Sequence, residues 1–250
     1  GVIDQTNSLV GHASSDNIGS GGGDVHILAN GSYLVLSPNF SDPSGNAFVG
    51  AVTYGSGTTG VVGEVGNANS LIGDQQHDNI GSGGVVSLAN GNVLVLSPAW
   101  HSQTGAVTYF DLQSGLFGGS AGVSAGILGA SNSLVGSTQN DHLAGDANGN
   151  TFVQLFDTFN GNHYYALFSP DVDDSEGSIA DVGAVTIASI DTPVVGNADD
   201  PAISLVGSHA GDAIGQGAQF KQLFGDSGNL LLINPQWNNG AGAVTFVNLV

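Results

Sequence analysis

The side chains best suited to metal chemistry lie in one acidic stretch, P-D-V-D-D-S-E-G-S-I-A-D at residues 170–181. Calcium prefers oxygen ligands and takes about six to eight of them, so carboxylates this close together can converge on one ion. The spacing matches no EF-hand, and a solvated acidic loop is the simpler explanation of the stretch. The calcium interpretation names five ligands: Asp171, Asp173, Asp174, Glu176 and Asp181.

A second set of carboxylates recurs through the chain, one in each quarter, just before a turn: Asp16, Asp78, Asp141 and Asp212. An Asp side chain that hydrogen-bonds its own backbone two residues on stabilises such a turn, so we favour a structural role over metal binding. The seven histidines show neither H-x-H nor H-E-x-x-H spacing, and we interpret them as surface loop residues.

The residues needed for catalysis are sparse. The sequence contains no G-x-S-x-G motif, no Cys and no Arg, and Lys221 is its single basic residue. We therefore predict no catalytic residues and no enzyme activity. Paired carboxylates can hydrolyse glycosides, which keeps a glycoside hydrolase as a less favoured alternative.

The charge balance limits the partners. With 21 acidic residues the net charge is -20, so we expect no nucleic acid partner and no docking on anionic lipid. No apolar run reaches the roughly 18 residues of a membrane span, so we expect no membrane insertion. A chain without Cys, with one basic residue and without an initiator Met favours a processed protein that is secreted or on a bacterial cell surface.

The elements that must position these side chains come from a fourfold internal repeat. Each copy has an apolar N-S-L-[VI]-G-type strand, an Asp-containing turn, a second strand, a third strand that ends at Ser-Pro or Asn-Pro, and a G-A-V-T strand. Asn-Gly between two apolar runs indicates a hairpin, and Pro ends a strand because it lacks an N–H. The chain is one repeat domain, with units at approximately 7–68, 69–131, 132–202 and 203–250.

This pattern predicts an all-β fold of four antiparallel, four-stranded units, which we interpret as a small β-propeller, with a β-sandwich as the alternative. Pairing of residues 8–11 with 242–250 would close the ring within one chain, whereas the same pairing between chains would build a filament. The residues for that pairing are Ser8, Leu9, Val10, Val244 and Phe246. The predicted core is Leu34, Leu36, Leu94, Leu96, Leu167, Leu231, Ile233 and the Ala-Val pairs 51–52, 106–107, 184–185 and 243–244.

The series D-N-I-G-S-G-G, L-A-N-G-N-V-L-V-L-S-P-A-W and G-A-V-T-Y resembles the repeat of large secreted bacterial surface proteins of the adhesin and haemagglutinin type. More distantly, it is similar to the FG-GAP blade of integrin-type propellers. The resemblance implies a propeller-like module in an extracellular adhesive or matrix protein, with calcium as the usual ion. The D-x-D-x-D-G calcium loop of FG-GAP blades is absent, and G-D-A-N-G-N at 145–150 is its nearest match.

One loop varies in length while the rest of the repeat stays constant. From the Pro that ends the third strand to the Gly of G-A-V-T the separations are 12, 7, 13 and 7 residues. Variable loops on a rigid scaffold often bind ligands, so we expect a carbohydrate or cell-surface ligand, or copies of the chain, as partner. The aromatic residue in this loop is more readily explained as a packing plug. The candidate binding residues are Asn39, Phe40, Asp42, Trp100, His101 and Trp237.

Overall fold

A computed structural model describes residues 1–20, 24–119, 122–145, 148, 152–158, 161–175, 178–223 and 228–249. Within these ranges the regular secondary structure is nearly all β-strand, and no helix is both long and apolar enough to cross a membrane. Two four-residue helical turns, α1 (Trp100–Gln103) and α2 (Trp237–Gly240), contain left-handed residues. The strands are β1 (Leu9–Val10), β2 (Val25–Ile27), β3 (Tyr33–Ser37), β4 (Ala51–Gly55), β5 (Gly63–Glu64), β6 (Ser70–Ile72), β7 (Val85–Ser87), β8 (Val93–Ser97), β9 (Ala106–Asp111), β10 (Leu116–Phe117), β11 (Gly126–Ile127), β12 (Leu134–Val135), β13 (Val153–Asp157), β14 (His163–Ser169), β15 (Ala184–Ser189), β16 (Gly196–Asn197), β17 (Ser204–Val206), β18 (Gln219–Gln222), β19 (Leu230–Asn234) and β20 (Ala243–Val247).

Each complete sheet is built from successive units of the repeat. The first sheet has the order β11-β6-β4-β3-β2, and the second has the order β16-β12-β9-β8-β7, with β10 paired to β9. In both, three antiparallel strands of one unit are followed by the N-S-L-[VI]-G strand of the next unit. A two-residue strand from further along the chain then pairs in parallel. The all-β prediction and the repeated units are therefore confirmed.

In three places a G-A-V-T strand pairs with the next N-S-L-[VI]-G strand. We call this pairing the junction, and it occurs in the pairs β4–β6, β9–β12 and β15–β17. Its register is constant, with the Val of one strand opposite the Leu of the other. A buried hydroxyl pair lies beside it, with oxygen–oxygen distances of 2.6 Å for Thr53–Ser70, 2.7 Å for Thr108–Ser133 and 2.7 Å for Thr186–Ser204. The hydroxyls satisfy each other inside the sheet, so the junction buries no unpaired oxygen there.

The sheets pack face to face in chain order. Leu34 and Leu36 of the first sheet contact the cluster of Val93 and Val95 in the second, whose Leu94 and Leu96 face the third. Ala166 and Phe168 then lie in one cluster with Leu232 of the fourth sheet, β18-β19-β20. Each inner strand is covered on both faces, which explains the continuous apolar runs of V-L-V-L type.

The expected closure of a ring within one chain is wrong for the part of the chain described. There β1 pairs only with β5, and β20 pairs only with β19. Sheets that stack in chain order, each about 10 Å from the next, place the second and third sheets between the first and the fourth. The fourth sheet therefore keeps a free edge and an uncovered face.

The core prediction fails at that same place. The predicted core residues of the first three units are buried, whereas Leu231, Ile233 and Ala243 are only partly buried. Val244 is 64% exposed. These four residues belong to the fourth sheet, which lacks the neighbour that covers their counterparts elsewhere.

Candidate functional site

The recurrent aspartates hold loops of neighbouring sheets together along one side of the stack. Asp78 is fully buried, and its Oδ2 accepts hydrogen bonds from the backbone N–H groups of Asp74 (3.1 Å) and Gln75 (2.9 Å). Its Oδ1 accepts the N–H of His101 (2.8 Å). Asp78 follows β6 of the first sheet, and His101 follows β8 of the second. One carboxylate thus ties two neighbouring sheets together, an arrangement we call the aspartate clasp.

The clasp is repeated at all four positions, with the same three kinds of donor. The donors are the N–H groups of His12, Ala13 and Ser41 for Asp16; Ser137, Thr138 and Asp173 for Asp141; and Ser208, His209 and Asn238 for Asp212. The predicted structural role is therefore confirmed. The donors, however, lie three and four residues before the Asp and in another loop, not two residues after it.

Burial acts on the pKa of three of these carboxyls, Asp78, Asp141 and Asp212. It raises the pKa of Asp78 and of Asp141 above the ordinary value, although the amide donors oppose the shift. Burial also acts upward on Asp212, but there the amides of Ser208, Asn238 and His209 outweigh it and lower the pKa. Asp212 holds the fourth sheet, which has less protein around it. Burial therefore costs the charged form of Asp212 less than it costs that of Asp78 or Asp141.

One clasp carries a metal-compatible group. Ligand atoms of Asp74, Asp78 and His101 lie within 4.8 Å of one another. His101 Nε2 is 2.7 Å from Asp74 Oδ1, and its ring stacks on Trp100 with ring centres 3.7 Å apart. Such a set can bind a divalent ion, or it can serve as a His–Asp hydrogen bond. The sequence prediction missed Asp74, because only the clasp brings it to His101 across 27 residues.

Two of the predicted calcium ligands, Asp173 and Asp174, are already engaged with protein donors. Asp173 accepts the N–H of Asp181 (2.8 Å) and the hydroxyl of Thr138 (3.0 Å). Asp174 accepts bonds from residues 178 and 179 of its own loop, and these bonds lower its pKa. Asp171 Oδ2 lies 3.2 Å from His142 Nδ1, and Glu176 lies outside the described residues. Calcium binding here remains a prediction.

The pKa of Asp181 in this loop lies above the ordinary value. Burial raises its pKa, and the negative charges of Asp173 and Asp171 raise it further. Three carboxylates are thus close enough to interact electrostatically, and a cation placed among them would relieve this repulsion.

Two of the candidate binding residues belong to the core. Phe40 is fully buried and Trp100 is 6% exposed, which confirms the packing interpretation for both. Val172 occupies the same place in the third unit and is also fully buried. The remaining candidates are all partly exposed and are accessible to a ligand: Asn39, Asp42, His101 and Trp237.

A cleft that the sequence prediction missed lies between the third and fourth sheets. It has a volume of about 400 Å³. Its walls combine aromatic and amide side chains, among them Phe152, Phe168, Gln154 and Gln216. Gln154 and Gln216 come from distant segments, and no pattern in the sequence links them.

The chain belongs to the family described as a repeat of unknown function (DUF5650). The family model matches residues 1–20, 27–82, 87–145, 165–216 and 226–249. No curated protein matches the chain. The second match runs from β2 through β3 and β4 into β6 and the clasp of Asp78, so the family's unit follows the strands of a sheet across the junction.

Proposed function

We propose that this chain is a non-enzymatic structural and binding module of a secreted or bacterial cell-surface protein of adhesive or matrix type. The observation that carries the proposal is the aspartate clasp, repeated at each step of the stack. Each clasp joins the loop after the third strand of a unit to the loop after an N-S-L-[VI]-G strand, and for Asp78, Asp141 and Asp212 that strand belongs to the preceding sheet. The described parts of the variable loops at 38–50, 98–105, 170–183 and 235–242 are therefore displayed along one side of a rigid scaffold.

The same geometry argues against catalysis at the clasps. Each clasp carboxylate accepts three backbone N–H groups and is buried, so it cannot reach a substrate. A glycoside hydrolase needs two carboxyls across an open site from one another. Asp174 lies in a solvated loop, where its side chain accepts hydrogen bonds from the backbone of that loop.

A neutral carbohydrate suits the cleft between the third and fourth sheets. Aromatic faces such as that of Phe152 stack on sugar rings, and the amides of Gln154 and Gln216 can bond to hydroxyls. The net charge of -20 disfavours an anionic ligand. We also propose that calcium stabilises the module by screening this charge, with the loop at Asp171–Asp181 as the first site to test.

The experiment is a glycan array combined with a turnover assay on neutral polysaccharides. We expect binding without release of reducing ends, and weaker binding by Gln216→Ala. The matched control is Gln113→Ala, an exposed Gln on a turn of the second unit. Release of reducing ends that a single Asp→Asn change abolishes would refute the proposal and favour the hydrolase.

Assembly with copies of itself is the second candidate function. The free edge of β20 and the half-paired strand β1 favour it, because a free edge is a template for another strand.

A further inference from the structure

The fourth sheet and the β1–β5 pair are two parts of one complete sheet. The first and second sheets each contain three antiparallel strands of one unit, then a junction strand, then a parallel two-residue strand. The fourth sheet, β18-β19-β20, has the first three. The pair β1–β5 has the last two, with Leu9 opposite Gly63 as Leu71 is opposite Gly126.

The side chains at these edges are exposed where their counterparts are buried. Val244 is 64% exposed, whereas its counterparts Val52, Val107 and Val185 are at most 3% exposed. Leu9 is only partly buried, whereas Leu71 is fully buried. Leu9 lacks the junction strand beside it, and Val244 lacks both that strand and the sheet that covers its counterparts.

Residues 1–3 fit a second vacancy, beside β17. Seven residues before the junction Ser stands the Gly that begins the parallel strand, as Gly63 does before Ser70 and Gly126 before Ser133, whereas Gly196 stands eight residues before Ser204. Gly1 stands at that distance from Ser8. Ile3 is 79% exposed, whereas its counterparts Val65, Leu128 and Ala198 are at most 3% exposed. In the described chain β17 pairs only with β15 and lacks this parallel partner.

The family match divides at the same point. Segment 1–20 corresponds in the repeat to 63–82, the closing part of the second matched segment. Segment 226–249 corresponds to its opening part, through the G-A-V-T strand. The two partial matches are therefore complementary halves of one family unit.

We infer that the last sheet of one molecule accepts β1 of a second copy, so that molecules join end to end. This inference rests on the proposed structural function and names its partner. The internal junctions set the register: Ala243 opposite Val10, Val244 opposite Leu9, and Thr245 opposite Ser8 with a bond between their hydroxyls. Gly1 and Val2 of the second copy pair in parallel with Leu205 and Val206 of the first.

Charge controls this contact. Each molecule carries a net charge of -20, so two copies repel each other at low ionic strength. The Debye length falls from about 30 Å at 0.01 M salt to about 8 Å at 0.15 M, which removes most of the long-range repulsion. Assembly should therefore increase with salt and with divalent cations.

The absence of Cys makes the register directly testable. Two single variants, Ser8→Cys and Thr245→Cys, are mixed under mild oxidation at about 0.15 M salt. We expect the mixed disulfide dimer to form in excess over either symmetric dimer. In the control, Ser114→Cys, an exposed residue far from both edges, replaces Ser8→Cys and should give no excess. A statistical mixture of dimers with Ser8→Cys would overturn the inference.

A second measurement does not depend on disulfides. The change Val244→Asp places a charge where the native chain already exposes the side chain, so folding should be retained. In the junction the carboxylate would be buried and unpaired, which should raise the concentration for half-assembly by more than about tenfold in light scattering. Leu155→Asp adds the same charge to β13 of the third sheet, where Leu155 is 46% exposed, and should leave assembly unchanged.

Two outcomes count against the inference: a monomeric native chain at all salt concentrations, or equal assembly by the native chain and Val244→Asp. Neither affects the proposed function, which is judged by glycan binding and turnover at concentrations where the chain is monomeric.

Discussion

Replacing Asp78 by Ala tests whether the aspartate clasp holds neighbouring sheets together. The side chain is fully buried and accepts three backbone N–H groups at 2.8–3.1 Å. Removing it leaves these donors without their acceptor at a site enclosed by two sheets. We expect a large loss of stability that begins locally, at the contact between the first and second sheets.

The magnitude follows from the bonds. A hydrogen bond to a charged group contributes about 1.5–3 kcal/mol, and an unsatisfied buried donor costs about 1–3 kcal/mol. Burial of the carboxylate, which raises the pKa of Asp78, offsets part of this gain. The net loss for Asp78→Ala should be about 3–5 kcal/mol. Asp78→Asn keeps one oxygen acceptor and should lose about 2–3 kcal/mol.

Urea unfolding followed by Trp fluorescence is the appropriate assay, because Trp100 is 6% exposed and adjoins the clasp donor His101. Trp237→Phe removes the other indole, so the signal reports on this clasp alone. Asp74→Ala is the matched control. It lies in the same loop, but its side chain is 44% exposed and its bond to His101 is a surface interaction that contributes at most about 1 kcal/mol.

A loss below about 1 kcal/mol for Asp78→Ala would refute the reasoning, since the clasp would then be no stronger than a surface ion pair. Equal losses for Asp74→Ala and Asp78→Ala would also refute it, because they would assign the effect to the loop rather than to the buried carboxylate. Hydrogen exchange should show the early opening at the amides of Gln75 and His101, since stability in repeat proteins is distributed unit by unit.

Three further predictions concern the backbone, pH and calcium. Gly50→Ala should lower the free energy of unfolding in urea by about 3 kcal/mol or more, because its Cβ would lie 2.0 Å from the Ile80 nitrogen at φ +74°. The control Gly31→Ala has open space at φ +82° and should cost about 1 kcal/mol, so equal costs would contradict this prediction. Because the folded-state pKa values of Asp78 and Asp141 are raised, the folded chain binds more protons than the unfolded one, so stability should rise as pH falls from 7 towards 3.8. Below 3.8 it should fall again as the lowered carboxyls Asp174 and Asp212 become protonated, and a profile flat from pH 7 to 3.8 would contradict the shifts. A calcium site specific to the native state should add about 2.7 kcal/mol of stability at a hundredfold excess over its Kd, so Tm should be higher in millimolar calcium than in EDTA at equal ionic strength. This rise in Tm should be smaller in Asp173→Asn than in the control Asp111→Asn, and an unchanged Tm would exclude the site.

Local chemistry made much of the fold predictable from the sequence. The Asn-Gly turn before β8, the Pro after β8 and the apolar run between them fix that strand, and the structure places it where the pattern indicates. The buried positions of the first three units followed from the same runs. What was not predictable was which sheet each strand would join, because a short N-S-L-V-G strand pairs as well with a strand of its own unit as with one of a neighbour.

The candidate site shows the same division. A structural role for Asp78 followed from its position before a turn, and the packing role of Trp100 followed from its place after Pro98. Two of the clasp's donors lie just before the Asp, but the third, His101, lies 23 residues away. Spacing could not reveal it, because that distance is set by the junction and by the length of a variable loop.

The failure at Leu231, Ile233, Ala243 and Val244 has the same origin as the inferred assembly. These residues were assigned to the core because each inner copy of their pattern is covered on both faces, and the pattern itself does not change in the fourth unit. The sequence of the fourth unit specifies a covered face, and the described residues leave that face open. Four apolar residues are each more than half exposed: Val2, Ile3, Val244 and Phe246. All four lie at positions whose counterparts in the repeat contact a neighbouring strand or sheet. We therefore interpret the exposed apolar surface as the contact surface of the inferred assembly. The register of the three internal junctions indicates β1 of a second copy as the strand that completes it.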